Sequence, residues 1–95
     1  MLFRSGHRAP HVWLMRTGEK ISTLDLVSPE FTLLTGALGE PWKKVAQSLR
    51  ERFGLDVQCH LIGQGAPLDD YEGTFLKRYG IQQDGAVLEI GRAHV

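Results

Sequence analysis

The chain has 95 residues, enough for one domain with a single core, because a chain of this size hides roughly two thirds of its unfolded surface. Its 11 basic and 11 acidic side chains cancel, so the overall charge draws it to neither nucleic acid, nor an anionic membrane, nor an acidic substrate. A single cysteine, Cys59, rules out an internal disulfide, and no apolar stretch approaches the roughly 20 residues that would span a bilayer. The basic residues lean toward the start, where Arg4, Arg8, Arg16 and Lys20 face only Glu19, but this is too thin for a nucleic-acid surface. No secretory signal, internal repeat or low-complexity tract is visible, and the expected setting is the reducing cytoplasm.

In chain order, HVWL (11–14) is a short strand candidate and RTGEK (16–20) supplies a turn with a glycine. In ISTLDL (21–26), Ser22, Leu24 and Leu26 share one face and Ile21, Thr23 and Asp25 the other, so the two segments predict a hairpin. Ser28-Pro29 breaks the pattern, and FTLLT (31–35) is a continuous apolar run suited to a strand covered on both faces. From Pro41 to Phe53, Trp42, Val45, Ala46, Leu49 and Phe53 recur at helical spacing and predict one buried stripe. Proline at the start and Gly54 just past the end match the usual asymmetry of helix termini.

In DVQCHLIG (56–63), Val57, Cys59 and Leu61 alternate with Asp56, Gln58 and His60, as in a half-buried strand with His60 in solvent. Phe31 to Ile62 then forms a strand–helix–strand unit with parallel strands. Asp69 is the expected cap of a second helix, with Glu72 as its reciprocal partner and Tyr71, Phe75 and Tyr79 on one face until Gly80. AVLEI (86–90) closes the series as a strand after an Asp-Gly turn. Hairpin, strand, helix, strand, helix, strand is the order of an α/β sandwich of the thioredoxin-like kind.

The strand-to-helix junction FTLLTGALGEPW (31–42) sits where many α/β proteins place their chemistry. A phosphate loop would need a glycine-rich turn running into Gly-Lys-Ser/Thr; here Glu40 repels phosphate and Pro41 removes an N–H. A redox thioredoxin carries Cys-x-x-Cys at this point, where the helix N-terminus stabilises a thiolate, and no cysteine lies between Thr35 and Trp42. YGIQQDGAVLEI (79–90) is similar to the thioredoxin stretch that ends in a cis-proline and an apolar strand, with Gly85 where that proline would stand. Cys59 remains the candidate reactive thiol, although a lone buried cysteine is ordinarily a small apolar core residue. His7 and His11 flank Pro10 in extended chain and lack a third metal ligand. Trp13 and Trp42 read as packing residues, and Asp25 as a solvated carboxylate without a catalytic partner.

GHRAPHVWL, ISTLDL, FTLLTG, a helix opening at Trp42, a strand ending in Ile62-Gly63, and YGI followed by DGAVL occur in this order. The series resembles the C-terminal domain of the FAD-dependent aromatic-ring hydroxylases, the flavoprotein monooxygenases that act on phenols and aromatic polyketides. The resemblance covers about residues 6–88, with RAPH and STLDL its most particular elements. It implies an accessory thioredoxin-like domain without a dithiol, behind upstream domains that handle FAD and NAD(P)H. It carries over no catalytic, cofactor-binding or metal-binding residue.

Both ends depart from the resemblance. Residues 1–10 read like a linker from a missing upstream FAD and substrate region, with Met1 an internal methionine, and residues 11–88 like the accessory domain. EIGRAHV (89–95) is what GAG ATC GGA AGA GCA CAC GTC encodes, a sequence containing the start of a common sequencing adapter, so a non-native read-through tail is expected there. A sheet truncated before its last strand would leave an unpaired edge open to self-association. The expected partners are the upstream domains of the same chain or another subunit. Two alternatives stand beside this reading: a free-standing thioredoxin-like or peroxiredoxin-like protein using Cys59, and a stand-alone interaction module.

Overall fold

The computed structural model describes residues 2–4, 10–28 and 30–90. It is an α/β sandwich of the thioredoxin-like kind, built on one open, mixed sheet. The strands are β1 (Leu2–Arg4), β2 (Trp13–Arg16), β3 (Glu19–Ser22), β4 (Phe31–Thr35), β5 (Val57–Gly63), β6 (Leu68–Asp69) and β7 (Ala86–Ile90), in the spatial order β1-β7-β4-β5-β6-β2-β3. Helix α1 spans Glu40–Phe53 and α2 spans Phe75–Tyr79. The parallel pairing of β4 with β5 follows from the helical crossover between them, and β7 runs antiparallel to β4.

The hairpin forms as expected, but its strands are displaced from the predicted spans. Arg16 pairs with Glu19, so the turn is the two residues Thr17-Gly18, with φ of 47° and 82°. Two left-handed residues in a two-residue loop make a type I′ turn, whose twist matches that of the strands. ISTLDL does not continue as a strand: β3 ends at Ser22, and Thr23–Asp25 form a single 3-10 turn. Ser22 Oγ accepts from the Leu24 N–H, and the Asp25 carboxylate accepts from the Ser22 N–H, closing a capping box. These short polar side chains offer the backbone local partners that compete with the ladder. Leu24 is consequently exposed, while Leu26 returns to the core.

The second helix is shorter and later than the sequence predicts. Asp69 lies in β6, paired with Met15 and Gly63, and the neighbouring Asp70 does the capping. Its Oδ1 accepts from the N–H groups of Gly73 and Thr74, and its Oδ2 from that of Phe75. Gly73 has φ of 71° and belongs to the turn rather than the helix. The sheet pairing sets this register, because it fixes Asp69 between β5 and β2 and leaves the next residue to cap the helix.

Two cores flank the sheet. One contains Leu34, Ile62 and Val87 from the sheet, Leu14 and Ile21 from the hairpin, and Phe75 and Tyr79 from α2. The other lies under α1 and contains Leu33, Ala46, Val57 and Ala86, with Trp42, Leu49, Cys59 and Leu88 packed around it. Ile62 and Val57 therefore bury opposite faces of β5, which is covered on both sides rather than half exposed. The predicted α1 stripe is only partly buried: of its five residues Ala46 alone is buried, while Phe53 is 65% exposed and Val45 39%.

Leu2–Arg4, within the segment read as a linker, run parallel to β7 and occupy its outer edge, so the outermost strands are β1 and β3. β7 itself reaches Ile90, two residues into the segment read as a tail. Met1, residues 5–9 with His7 and Arg8, Pro29 and residues 91–95 lie outside the described residues.

Candidate functional site

The β4–α1 junction is closed on itself. The Gly36 N–H donates to the Gly85 carbonyl and the Leu38 N–H to the Gln83 carbonyl, at 3.4 and 3.0 Å. Gly39 and Trp42 N–H groups continue the turn onto Gly36 and Gly39. A Cβ on Gly36 would lie 2.6 Å from Gln83 Cα, so only glycine lets the loop before β7 approach this closely. The junction thus directs its N–H groups at the protein's own loop, and Glu40 places a carboxylate at the helix start, 3.8 Å from the Lys43 ammonium. Neither an anion nor a thiolate is provided for.

Cys59 lies two pairs back along the sheet, opposite Leu33 on the α1 face, and is half-buried. Burial pushes its thiol up, more than the Lys43 and Arg50 charges pull it down, which is the opposite of what a reactive thiolate requires. Native Cys59 is therefore expected to react with an aromatic disulfide reagent at least about tenfold more slowly than in the denatured chain. A stopped-flow absorbance trace in which the two rates match would contradict this.

His60 faces the other core and is half-buried rather than solvated; its Nε2 has no hydrogen-bond partner among the described residues. Burial, and then the charge of Arg16, lower its pKa below the ordinary imidazole value of 6.5. A lowered folded pKa makes the unfolded chain the better proton binder. The stability His60 contributes is present above pH 6.5 and is lost as pH falls through the lowered folded value. Urea midpoints should fall more steeply for the wild type than for His60→Gln between about pH 7 and about pH 5. Parallel profiles would refute the assignment.

His11 Nδ1 lies 2.6 Å from Ser22 Oγ, and with Asp25 nearby the residue types of a serine hydrolase come together. Their arrangement is that of a cap. Asp25 accepts from the Ser22 N–H rather than from the imidazole, Ser22 Oγ accepts from Leu24, and Ser22 is only 7% exposed. Trp13 packs edge-on to His11 with the Lys20 ammonium 4.5 Å from its ring centroid, and half-buried Trp42 donates its Nε1–H to the Asp84 carbonyl. Among the described residues, no three His, Cys, Asp or Glu side chains converge as metal ligands.

A cavity of about 330 Å³ opens beyond the C-terminal ends of β4 and β5, lined by Ala37, Ile62, Gln64, Asp70, Leu76 and Gln83. Its one carboxylate, Asp70, is turned to the α2 cap. The segment Gly63-Gln64-Gly65 beside it carries two glycines of a dinucleotide fingerprint, but Leu68 stands where the third would be and the chain enters β6 instead of a helix. These residues do not fit the pyrophosphate of FAD or a nicotinamide dinucleotide.

The strongest polar constellation is one the sequence reading missed. The Pro10 carbonyl accepts from Tyr79 Oη at 2.6 Å and from Thr23 Oγ1 at 3.1 Å, and Thr23 Oγ1 also accepts from the Val12 N–H at 3.0 Å. Pro10 of RAPH, Thr23 of STLDL and the tyrosine of YGI are therefore joined by hydrogen bonds, although they lie up to 69 residues apart. The signal available beforehand was a threonine inside an apolar alternation and a tyrosine at the end of a helix stripe. Both are buried hydroxyls in need of partners.

The fold and its junction define a thioredoxin-like α/β domain in which the strand-to-helix turn is a structural connection without a dithiol. Residues 3–87 match the family described as "Aromatic-ring hydroxylase, C-terminal". The chain belongs to that family. It is 41% identical over 85 residues to tetracenomycin A2 monooxygenase-dioxygenase of Streptomyces glaucescens, covering 90% of this chain and 15% of the relative. It is 42% identical over 86 residues to 2,4-dichlorophenol 6-monooxygenase of Delftia acidovorans, with coverage of 90% and 15%. The crystal structure of aklavinone-11 hydroxylase in a ternary complex with FAD and aklavinone superposes with a TM-score of 0.76 at 40% identity, covering 90% of this chain and 16% of that one. The chain thus spans less than one fifth of the length of these proteins.

Proposed function

We propose that this chain is the non-catalytic C-terminal accessory domain of an FAD- and NAD(P)H-dependent aromatic-ring hydroxylase in the cytoplasm. Residues 11–88 form the domain, residues 1–10 lead in from an upstream FAD- and substrate-binding region, and residues 89–95 are a non-native tail. The parent reaction is hydroxylation of an activated aromatic ring, carried out in the upstream region. This domain contributes packing against that region or against another subunit, and Cys59 is one of its packing residues.

The observation that carries the reading is the family match over residues 3–87, on a fold whose β4–α1 N–H groups point at its own loop. Long reads of the source DNA across both ends of the frame test it. An upstream frame encoding Gly-x-Gly-x-x-Gly, with a continuation that replaces EIGRAHV, is the expected result. A stop codon just upstream of Met1 together with a genuine EIGRAHV terminus would overturn it.

A further inference from the structure

We propose that the cavity beyond β4 and β5 is a binding site for a small, uncharged, planar aromatic amide. Its place follows from the path of the chain. β4 leads into α1, which covers the face carrying Leu33 and Val57, while β5 leads through β6 into α2, which covers the face carrying Leu34 and Ile62. Two parallel neighbours whose connections leave to opposite faces open a crevice at their C-terminal ends, the position at which α/β sheets bind ligands. The cavity of about 330 Å³ lies in that crevice, with Ala37 from the first connection and Gln64, Asp70 and Leu76 from the second. This size is at the lower end for ligand pockets and suits a molecule of one or two rings.

The lining selects the ligand. Ile62 is only 1% exposed, and with Ala37 and Leu76 it gives the cavity an apolar side against which a flat ring can rest. The carboxamides of Gln64 and Gln83 also line the cavity, and among the described residues neither has a hydrogen-bond partner. Gln64 Nε2 lies 3.3 Å from where a Cβ on Gly73 would stand, so this glycine, with φ of 71°, leaves room for the amide beside the turn into α2. A carboxamide holds an N–H donor and a carbonyl acceptor side by side, and its best complement is another such edge, met by two bonds at once.

Asp70 sets the charge. Its negative charge disfavours an anion in the cavity, and its commitment to the N–H groups of Gly73, Thr74 and Phe75 disfavours its use as the counter-ion of a cation. An uncharged amide carried on an aromatic ring meets all of these conditions. Such binding requires only the 95-residue chain and is independent of the accessory-domain reading.

Benzamide is the probe, and benzoate, of the same shape but anionic and without N–H donors, is the control. Titration of the 95-residue chain, followed by the NMR shifts of its backbone amides, should show saturable changes centred on Gly63, Gln64 and Gly73 with benzamide. The expected Kd is about 1 mM for a ligand this small. Benzoate should bind at least about tenfold more weakly, the discrimination expected of one paired amide edge. Gln64→Met and Gln64→Glu change an exposed side chain outside both cores, and each should weaken benzamide about tenfold. Gln47→Met on the exposed face of α1 should leave the Kd unchanged. Equal affinity for benzamide and benzoate overturns the proposal in the unsubstituted chain, without recourse to any variant. Shifts that fail to saturate, or that centre elsewhere, also overturn it, as does an unchanged Kd in a folded Gln64 variant. A chain without the dispersed signals of a folded domain has no such cavity, and the proposal falls with it.

Discussion

Replacing Asp70 with alanine is expected to lower the stability of this domain by about 3 kcal/mol, whereas Asp69→Ala should cost no more than about 0.5 kcal/mol. Asp70 is 5% exposed, and its carboxylate accepts the N–H groups of Gly73, Thr74 and Phe75 at 3.0 to 3.2 Å. Hydrogen bonds to a charged acceptor contribute about 1.5–3 kcal/mol each, and donors left without a partner away from water cost about as much again. Some of that loss is recovered where water reaches Gly73 and Thr74. Phe75, at 0% exposure, has no such access. Asp69 accepts only from the exposed Gly65 N–H at 3.2 Å, which water replaces readily. Against a total of about 5–14 kcal/mol for a domain of this size, the Asp70 variant loses a large share of its stability. Its Tm should fall by roughly 15 °C, at about 4–8 °C per kcal/mol. Asp70→Asn keeps one acceptor oxygen and should fall between the two. Equal melting of Asp69→Ala and Asp70→Ala would show that the cap is misassigned.

The second large effect is expected at the Pro10 carbonyl. Thr23→Val preserves shape but removes the donor to Pro10 and the acceptor for Val12, a residue only 2% exposed. The orphaned Val12 N–H and the lost bond together should cost about 2–3 kcal/mol. Tyr79→Phe removes the 2.6 Å bond to the same carbonyl and should cost about 1 kcal/mol, because the ring still fills its site against Phe75. In either single variant the carbonyl keeps one partner; in the double variant it has neither, so the losses should exceed their sum by about 0.5 kcal/mol or more. Chemical denaturation of the four proteins measures this coupling. Strict additivity would mean that the two hydroxyls act independently and that the three motifs are not one unit.

That unit and the β4–α1 junction fasten different parts of the fold. In this domain the connection from the hairpin, the 3-10 turn and α2 is fastened at Pro10, on the side of the sheet opposite α1. The β4–α1 junction is fastened separately by the loop before β7. Each end of the sheet is held by backbone carbonyls and buried hydroxyls, and none of these bonds requires a thiol, a metal or a cofactor.

What the sequence determined by itself was set by local chemistry. The α1 helix ends at Gly54, with φ of 68°, because an apolar period of 3.6 runs out where a residue without Cβ permits the left-handed cap. The parallel β4–β5 pair follows from the crossover helix, the hairpin from a glycine-containing turn between two short strand candidates, and the family from motifs whose order survives in the linear chain. Tertiary structure decided everything that depends on which of two equivalent neighbours meets a partner. Asp69 and Asp70 are both capable caps, and the pairing of β6 with β2 and β5 selected the second. ISTLDL alternates well enough for a strand, but a capping box and the Pro10 carbonyl bent it at Thr23. β5 alternates as a half-exposed strand, yet α2 and the hairpin cover the face that carries His60 and Ile62, and burial lowers the pKa of the imidazole. The apolar period of α1 marks a buried stripe, yet Val45 and Phe53 remain open. Periodicity specifies which side chains share a face; whether that face is covered depends on elements brought together from distant parts of the chain.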